Sequence, residues 1–421
     1  MRAWSRPLAC RPIAKALTLS RFSTMPQSAR IIIIGAGIGG LTAAAALLQR
    51  GMDVEVFEQA AELKEVGAGV QLAANGTRIL YALGVGEALK ALSCEAQGKE
   101  IRHWKTGETW TLFDLGPASI ARFGFPYFTV YRPDLLAVLA AEVRRLKPNA
   151  IHLGARFAGL EQSTHSVTVR LESGEAIVGD ALVGADGVHS RVRQSLFGAD
   201  RAQFSGVIVW RAVVPMQSLP AHMIRKVGSN WVGPGGHVVH YPLRSNQLMN
   251  FVGALERSDW QIESWSHQGT RDDLARDFAG WHPDIQAFIN AIDRPHKWAL
   301  MLRAPLERWS VGRTTIMGDA AHSMFPFLAQ GAIMAIEDGY MLARCLAHFE
   351  PVEAFQRFER ARLARTTRVV EGSAANIHRF HNPVLADPQA SREFIEREWA
   401  SQRVSDRYDW LFRYDATTEE I

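Results

Sequence analysis

The first clear pattern of hydrophobic and polar positions begins at Arg30, in the segment RIIIIGAGIGGLTAAAALLQRGMDVEVFE. Ile31–Ile34 is a continuous run of β-branched residues, which is typical of a strand buried on both faces. A glycine-rich turn follows, and then a stretch around Leu41–Leu48 favours a helix that stops at Gly51. The alternation VEVFE, which ends at Glu58, predicts a second strand. The segment therefore predicts a βαβ unit of about 30 residues.

Further along the first half of the chain, the pattern predicts two helices and a hairpin. Apolar residues with helical spacing mark 74–83 and the segment RPDLLAVLAAEVRRL at 132–146. The alternating segment HSVTVRLESGEAIVGDALVG predicts a hairpin around Ser173-Gly174, followed by a buried strand at 181–184. These elements continue the alternation of strand and helix that the βαβ unit begins.

The pattern changes after 202. Between 203 and 302, the β-like segments GVIVWRAVVP, HVVHYPL and LMNFVGAL stand among many aromatic residues and few glycine turns. The segment TTIMGDAAHS then returns to the strand-turn pattern, and long helices are predicted at 332–347 and 351–370. We expect four parts: a leader at 1–24, a nucleotide-binding domain in two pieces at 25–202 and 303–421, and an inserted β-sheet substrate domain at 203–302.

The composition limits the possible classes of protein but does not by itself indicate a function. The chain has 421 residues, 47% hydrophobic and 21% charged, which is typical of a globular protein with a large core. No apolar run reaches the roughly 18 residues that a transmembrane helix requires. Cys10, Cys94 and Cys345 lie far apart, without the spacing of a zinc site or of a disulfide framework. We therefore expect no metal site and a reducing compartment.

The basic charge is concentrated at the start of the chain. The first 24 residues contain five basic residues and no acidic one, and the net charge of the whole chain is +4. The rest of the chain therefore carries −1, and we expect no nucleic-acid binding. An Arg-rich, acid-free leader is typical of a mitochondrial transit peptide, which would direct the protein to the matrix. The alternative, which we prefer, is an upstream start with Met25 as the true initiator and a cytoplasmic protein.

The glycine turn fits G-x-G-x-x-G through Gly35, Gly37 and Gly40. In such turns the first glycine allows the tight bend, the second lets a pyrophosphate approach, and the third lets helix and strand pack closely. The helix N-terminus then binds the pyrophosphate. Glu58 is placed to bind both ribose hydroxyls and would repel the 2′-phosphate of NADP. The turn predicts a site for NAD or FAD, and the alternative is a tight turn without a ligand.

Two further motifs are more specific: ALVGADGVHSRVR at 181–193 and TIMGDAAHSMFPFLAQGAIMAIEDG at 315–339. Together with the glycine turn, they resemble in order and composition the FAD-dependent aromatic hydroxylases, which are single-component flavoprotein monooxygenases. The resemblance to salicylate hydroxylase-like members extends from about Arg30 to the DWLFRYD segment. The segment AQGAIMAIED is more similar to 3-hydroxybenzoate and 6-hydroxynicotinate hydroxylases than to salicylate hydroxylase. The resemblance to the family implies an α/β fold: a Rossmann-type FAD-binding domain with an inserted β-sheet substrate domain and C-terminal helices.

The resemblance also implies which residues bind FAD. They are Gly35, Gly37, Gly40, Glu58, Gln71, Arg132, Asp186, Asp319, Gly331 and Ala332. Gly331 and Ala332 begin a helix whose N–H groups would face the flavin pyrimidine ring, where the reduced flavin is anionic. Asp186 would lie near FAD and be linked to pyridine-nucleotide use, and the alternative is a turn aspartate that caps the next helix. For Arg132 the alternative is a solvated residue.

The reaction implied by the family uses NADH or NADPH to reduce FAD. O2 then adds to give a flavin C4a-hydroperoxide, which hydroxylates a small phenolic or N-heteroaromatic acid, with or without decarboxylation. The protein has to keep this site dry and to hold a phenol as phenolate. The expected partners are the aromatic substrate, O2 and NAD(P)H, and we expect a monomer or homodimer without a membrane span.

Candidates for substrate contact lie in the inserted domain and near the flavin. Arg211 resembles an arginine that can clamp a carboxylate, and Tyr241 a tyrosine that can hydrogen-bond a phenol. The alternatives are a solvated strand arginine and a packed tyrosine. Gln330 is expected to lie close to the flavin and contact the substrate. His237 and His240 are candidate bases, although a lone strand histidine is more often structural.

Three features complete the prediction. His322 in GDAAH is expected to be structural, and the MFPF segment at 324–327 is expected to form the wall of the ring pocket. Leu302 stands before Arg303 where many relatives have an Asp-Arg pair, and we assign no consequence to this departure.

The alternatives to a hydroxylase are a flavin-dependent dehydrogenase or oxidase, a halogenase, and a flavin-binding module for protein interaction. The halogenase motif W-x-W-x-I-P is absent.

Overall fold

A computed structural model describes residues 29–63, 68–199, 202–259 and 267–421. The predicted leader and Met25 lie outside the described residues. So do residues 65–67 of the segment EVGAGVQLAANG, which contains Gln71 and which the family resemblance places along the flavin. The strands, in chain order, are β1 (Arg30–Ile34), β2 (Asp53–Glu58), β3 (Gly69–Leu72), β4 (Cys94–Glu95), β5 (Gly98–His103), β6 (Thr109–Asp114), β7 (Phe128–Tyr131), β8 (Ile151–Leu153), β9 (Phe157–Gln162), β10 (Val167–Leu171), β11 (Ala176–Gly179), β12 (Ala181–Gly184), β13 (Gln203–Pro215), β14 (Val227–Gly233), β15 (Gly236–Leu243), β16 (Leu248–Glu256), β17 (His296–Leu302), β18 (Ser310–Val311) and β19 (Thr314–Ile316).

The two longest helices, α10 and α11, follow the last strand. In chain order they are α1 (Ile38–Leu48), α2 (Ala74–Ala82), α3 (Gly86–Leu92), α4 (Pro117–Phe123), α5 (Arg132–Leu146), α6 (Arg191–Phe197), α7 (Arg271–Asp277), α8 (Pro283–Ala291), α9 (Asp319–His322), α10 (Gly331–His348), α11 (Pro351–Ala375), α12 (Ile377–Phe380), α13 (Pro388–Glu398) and α14 (Ser401–Arg413). The predicted helices are confirmed, and α11 continues beyond its predicted end at 370.

The predicted βαβ unit is the centre of the first sheet. Its strand order is β18-β19-β12-β1-β2-β8, with parallel pairing from β19 to β8. Ile31, Ile32 and Ile33 are completely buried, as a strand covered on both faces requires. Helix α1 packs against α10 and α5. The predicted hairpin is also present, as the antiparallel pair β10-β11 with Gly174 at a φ of 90°.

The inserted sheet has the strand order β17-β13-β16-β15-β14-β5-β6. Strands β5 and β6 come from 98–114, well before the predicted start at 203, and β5 pairs with β14 in parallel. The sheet therefore includes two strands from outside 203–302, and the expected domain boundaries stay a prediction. Pairing between strands so distant in sequence leaves no mark on the local alternation of either strand.

The two faces of this sheet have different neighbours. On one face, Trp210 and Phe251 join Phe278 and Phe288 of the α7–α8 region in a buried apolar cluster. Because side chains alternate along a strand, the residues next to them point the other way, towards the FAD-binding motifs. This second face forms one wall of the candidate site.

Three further observations on the described residues concern membrane spans, thiols and metal ligands. No helix among them has the length and apolar character needed to cross a membrane. Cys94 and Cys345 are buried free thiols. Within the same part of the chain, no group of three or more His, Cys, Asp or Glu residues is arranged to hold a metal ion.

Candidate active site

A cavity of about 270 Å³ is lined both by the sequence motifs and by the inserted sheet. Many of the residues singled out from the sequence meet there. Those that line it are Gly37, Gln71, Arg132, Arg211, His237, Tyr241, Asp319, Met324, Phe325, Pro326, Phe327, Gly331 and Ala332. The cavity therefore joins residues that are up to about 300 positions apart in the chain, since helix, strand and turn contributions converge on it.

The glycine turn has the geometry that a dinucleotide requires. Gly35 has a φ of 104°, and a Cβ there would overlap the carbonyl of Ala185. A Cβ at Gly40 would overlap the carbonyl of Gly35, so helix and strand approach closely. A Cβ at Gly37 would meet nothing within 4 Å, because this position faces the cavity. The three glycines thus match the three roles expected of them.

Two helices begin at the cavity with uncapped backbone N–H groups. The N-cap residues of α1 and α10 are Gly37 and Gln330, and neither helix has a side-chain cap or an acidic residue in its first turn. Residues 37–39 and 331–332 line the cavity. Unsatisfied N–H groups and the helix dipole attract negative charge, so one start fits a pyrophosphate and the other an anionic flavin ring. This arrangement fits FAD.

Glu58 supports the turn next to these helix starts. Its Oε2 accepts a hydrogen bond from the N–H of Ala36 at 2.8 Å, and its Oε1 accepts one from Ala60 at 2.9 Å. The carboxylate is half-buried at the end of β2. Its contact with a ribose stays a prediction.

Arg211 and Tyr241 project from the inserted sheet into the cavity. The guanidinium carbon of Arg211 lies 4.8 Å from the ring centroid of Trp298, a cation–π contact that orients it. Tyr241 is 4% exposed, and burial raises the pKa of its phenol, so it remains a hydrogen-bond donor at neutral pH. Its ring packs on Gly69, where a Cβ would lie 2.5 Å from Cε2 of Tyr241.

Lys99 is a cavity residue that sequence reasoning missed. It lies on β5 beside Tyr241, and a Cβ built on Gly228 would be 3.7 Å from both side chains. Burial lowers the pKa of Lys99 to about 8. Among the described residues it has no carboxylate partner. In the sequence, the lysine of GKEIRH is indistinguishable from a solvated strand residue, because only the pairing of β5 with β14 brings it to the cavity.

Aromatic rings form the apolar wall. Phe325 and Phe327 are stacked with 5.2 Å between ring centroids and 6° between planes. Met324 and Pro326 also line the cavity, as predicted, and Phe380 from α12 is a further contributor that the sequence did not reveal. Such a wall suits a planar apolar ring.

Comparison with known proteins agrees with this geometry. Residues 28–373 match the family described as FAD binding domain. The chain is 38% identical over 389 residues to the 3-amino-4-hydroxybenzoate 2-monooxygenase PtnB3 of Streptomyces platensis, covering 92% of this chain and 96% of that protein. It is 34% identical over 396 residues to the 3-hydroxybenzoate 6-hydroxylase of Polaromonas naphthalenivorans, covering 93% and 98%. The chain belongs to the FAD-dependent aromatic hydroxylases.

A solved structure supports the fold of this hydroxylase. Klebsiella pneumoniae HpxO, complexed with FAD and uric acid, superposes with a TM-score of 0.78 at 26% identity, over 91% of this chain and 97% of that one. The predicted fold class and the FAD cofactor are thereby confirmed.

The structure shows the hydrogen bonds that Asp186 makes in this hydroxylase. Its Oδ1 accepts a hydrogen bond from Oγ of Ser190 at 2.5 Å, and its Oδ2 accepts from the N–H groups of Arg191 at 2.8 Å and Val192 at 3.1 Å. Asp186 therefore caps α6, as the alternative interpretation has it, while its neighbours Ala185 and Gly187 line the cavity. Its expected link to FAD and to pyridine-nucleotide use stays a prediction. Burial raises the pKa of this carboxyl, and the hydrogen bonds oppose that shift.

Gln330 is buried at the start of α10. It is 2% exposed, and its Oε1 accepts a hydrogen bond from Nδ2 of Asn75 at 3.1 Å. The side chain is directed to α2, because Asn75 supplies the donor that a buried amide oxygen needs. Gln330 is not among the residues that line the cavity, although its neighbours Ala329 and Gly331 are, and its substrate contact stays a prediction.

The two candidate histidines of β15 lie on opposite faces of the sheet. His237 lines the cavity, whereas His240 on the same strand points to the other face of the sheet, with its ring 4.8 Å from that of Phe288. Burial lowers the pKa of His240 to about 3, so it is not a base for this site. The side chain of His322 is hydrogen-bonded to Asp338, in agreement with the structural role expected for it.

Arg303 lines a separate cavity of about 60 Å³.

Proposed function

We propose that this hydroxylase adds a hydroxyl group to the ring of a small phenolic or N-heteroaromatic acid, using O2 and NADH or NADPH. One observation carries the proposal: a single cavity is lined by the backbone of the FAD motifs and by the basic and aromatic side chains of the inserted sheet. A cofactor and an aromatic anion can therefore be neighbours.

The charge of the cavity favours an anionic substrate. Lys99, Arg132 and Arg211 line it, and Asp319 is the acidic residue among the described lining residues. A guanidinium binds a carboxylate through two parallel hydrogen bonds, and a lysine without an acidic partner gains most from an added anion. We propose that Arg211 and Lys99 bind the carboxylate and the ring oxygen of the substrate.

The remaining cavity residues suit activation of the ring. Tyr241 is neutral, because burial raises its pKa, and it can donate a hydrogen bond to a phenolate oxygen. His237 can accept the proton of the substrate hydroxyl, which makes the ring more electron-rich. The wall of Phe325 and Phe327 excludes water from the reacting carbon.

FAD, when bound, supplies the coupling of NAD(P)H oxidation to O2 activation. Overall, NAD(P)H, O2, a proton and the substrate give NAD(P)⁺, water and the hydroxylated product. The described residues contain one G-x-G-x-x-G fingerprint with its acid, at Gly35–Gly40. We therefore propose that NAD(P)H binds only transiently. The prediction of a monomer or homodimer is unchanged.

Relatives indicate which acids to test. Their names include 3-amino-4-hydroxybenzoate, 3-hydroxybenzoate and 6-hydroxynicotinate. Each is a single ring that carries a carboxylate and a hydroxyl group. The purified holoenzyme should consume NADH or NADPH faster when one of these acids is present, and O2 should be consumed with it.

Product identification completes this test. The mass of the product distinguishes simple hydroxylation from hydroxylation with decarboxylation, and ¹⁸O2 should label the new hydroxyl group. A yellow protein that consumes O2 without modifying any aromatic acid would be an oxidase. A yellow protein with no NAD(P)H consumption would favour a flavin-binding interaction module. Either result would overturn the proposal.

A further inference from the structure

Three side chains connect the cavity to the surface in a continuous line. Nδ1 of His237, which lines the cavity, lies 2.6 Å from Nε2 of His381. Nδ1 of His381 lies 3.0 Å from Oε1 of Glu256. His237 is 2% exposed, the His381 side chain is 1% exposed and the Glu256 side chain is 52% exposed. The line therefore begins in the cavity and ends in solvent.

The backbone holds these three residues in place through Gly235. The N–H of Gly235 donates to the carbonyl of His381 at 3.1 Å, and its carbonyl accepts from the N–H of Glu256 at 2.9 Å. His237 follows two residues later on β15. Gly235 has a φ of 69°, a conformation that favours glycine. Three separate segments, β15, the end of β16 and the residue after α12, are thus joined at one point.

The hydrogen bonds define one proton arrangement. A carboxylate only accepts hydrogen bonds, so neutral His381 donates its Nδ1–H to Glu256 and keeps a lone pair on Nε2. That lone pair accepts the Nδ1–H of His237, which leaves Nε2 of His237 unprotonated. Among the described residues, Nε2 of His237 has no hydrogen-bond partner. It is the nitrogen that remains for a substrate hydroxyl in the cavity.

We propose that His381 and Glu256 carry a proton between His237 and solvent, so that a phenol bound in the cavity can ionise. This inference rests on the proposed hydroxylation of a phenolic substrate. It adds two residues to the site that lie outside the predicted substrate contacts, one of them on the surface.

The transfer is balanced and reversible. The substrate O–H bond breaks, and its proton goes to Nε2 of His237. The Nδ1 proton of His237 moves to Nε2 of His381, and the Nδ1 proton of His381 moves to Oε1 of Glu256 and then to water. No electrons are exchanged. When a proton returns to the product oxygen, the same bonds re-form in reverse order and restore the original tautomers.

The surroundings keep both rings neutral, as this arrangement requires. Burial lowers the pKa of His237, and His381 lowers it further. Burial lowers the pKa of His381 to about 4, with Glu256 opposing and His378 adding to the shift. Phe327 and Phe380 pack on His237, with ring centroids 4.8 and 5.0 Å away. Because both rings are neutral at rest, each histidine can accept a proton on one ring nitrogen and release a proton from the other.

The first test does not depend on the substrate. In the FAD-loaded enzyme with ¹⁵N-labelled histidine, NMR should show His237 and His381 as neutral rings protonated on Nδ1. Spectra of His237→Gln and His381→Gln provide the assignment. A ring of His237 protonated on Nε2, or a doubly protonated His381 at neutral pH, would overturn the proposal.

The second test measures proton transfer. Glu256→Gln is compared with Glu175→Gln, which changes an exposed carboxylate in the β10-β11 turn. Rapid mixing with 3-hydroxybenzoate, 3-amino-4-hydroxybenzoate or 6-hydroxynicotinate, whichever stimulates NAD(P)H consumption most, is followed by ultraviolet absorbance of the ionised substrate. Ionisation should slow about 10-fold or more in Glu256→Gln, with KM changed by less than about two-fold. Glu256→Asp should restore most of the rate.

Matched histidine variants complete the comparison. His381→Gln should slow ionisation like Glu256→Gln, whereas His378→Gln, at an exposed position three residues earlier, should not. Unchanged ionisation in the well-folded Glu256→Gln variant would overturn the relay. If none of the three acids stimulates NAD(P)H consumption, the proposed function fails, and the NMR result alone decides the relay.

Discussion

Nε2 of His322 lies 2.6 Å from Oδ2 of Asp338, and the same carboxylate oxygen accepts the N–H of Gly318 at 2.9 Å. Nε of Arg362 donates to the other oxygen of Asp338 at 2.7 Å. Asp338 and Arg362 are completely buried. This buried carboxylate holds the turn that presents Asp319 to the cavity, so the GDAAH motif is positioned from α10 rather than by its own residues.

Asp338→Asn should destabilise the fold strongly. The substitution leaves the Arg362 charge buried with one partner fewer, and breaking a buried pair in this way costs about 3–5 kcal/mol. Urea unfolding followed by circular dichroism measures the change. Asp293→Asn, at a side chain that is 92% exposed, is the control and should change stability by less than about 0.5 kcal/mol. Equal stability of the two variants would show that the Asp338 network is dispensable.

The contribution of Asp338 should disappear in acid. Burial opposes ionisation, but His322 and Arg362 outweigh it and lower the pKa of Asp338 to about 2. An unfolded aspartate has a pKa of about 3.9, so this stabilisation is complete above that pH and is lost as pH falls towards 2. The stability difference between the wild type and Asp338→Asn should therefore shrink between about pH 5 and pH 2. A difference that does not change with pH would contradict this.

Glu58→Ala should weaken FAD binding. The variant loses both the proposed ribose contact and the hydrogen bonds to Ala36 and Ala60 that hold the turn. Loss of a charged hydrogen bond costs about 1.5–3 kcal/mol, and we expect an FAD Kd raised about 10-fold or more. Titration of the apoprotein with quenching of flavin fluorescence gives the Kd. Glu58→Gln, which keeps the size, should lie between, and unchanged retention in both would exclude the contact.

Arg211→Ala should raise KM for a carboxylated substrate. Losing one bidentate charged contact costs about 1.5–3 kcal/mol, or roughly 10- to 150-fold. Steady-state NAD(P)H consumption with the best acid of the screen measures it. Arg211→Lys keeps the charge without the fork and should recover only part of the affinity. If KM stays the same in Arg211→Ala, Arg211 does not bind the substrate.

Substrate affinity should fall with alkaline pH because of Lys99. Burial lowers the pKa of Lys99 to about 8, so its ammonium loses the proton, and with it the attraction for an anion, as pH rises through that value. The Kd of the aromatic acid should increase between about pH 7 and pH 9. Lys99→Arg should show no such increase in this range, and Lys99→Met should bind weakly throughout. An identical pH dependence in the wild type and Lys99→Arg would contradict this role.

Local sequence was sufficient for the central elements of the FAD half of the fold. The run Ile31–Ile34, the glycines of the turn and the helical spacing at 132–146 each depend on neighbours within a few residues, so their patterns predicted β1, α1 and α5 correctly. The family motifs added the cofactor, because a cofactor of fixed shape demands the same turns wherever it binds.

The substrate half was decided by contacts between distant segments. Pairing of β5 with β14 brings Lys99 to the cavity, Asn75 turns Gln330 away from it, and Glu256 and His381 meet at Gly235. None of these contacts changes the spacing of hydrophobic residues along the chain, and this spacing is what predicts secondary structure from a single sequence. The amino-acid order of this chain therefore indicated which cofactor the protein uses and which class of reaction it supports. The charges, donors and proton path around the substrate exist only once the sheet and the C-terminal helices have packed, since burial and partnership are properties of the folded arrangement.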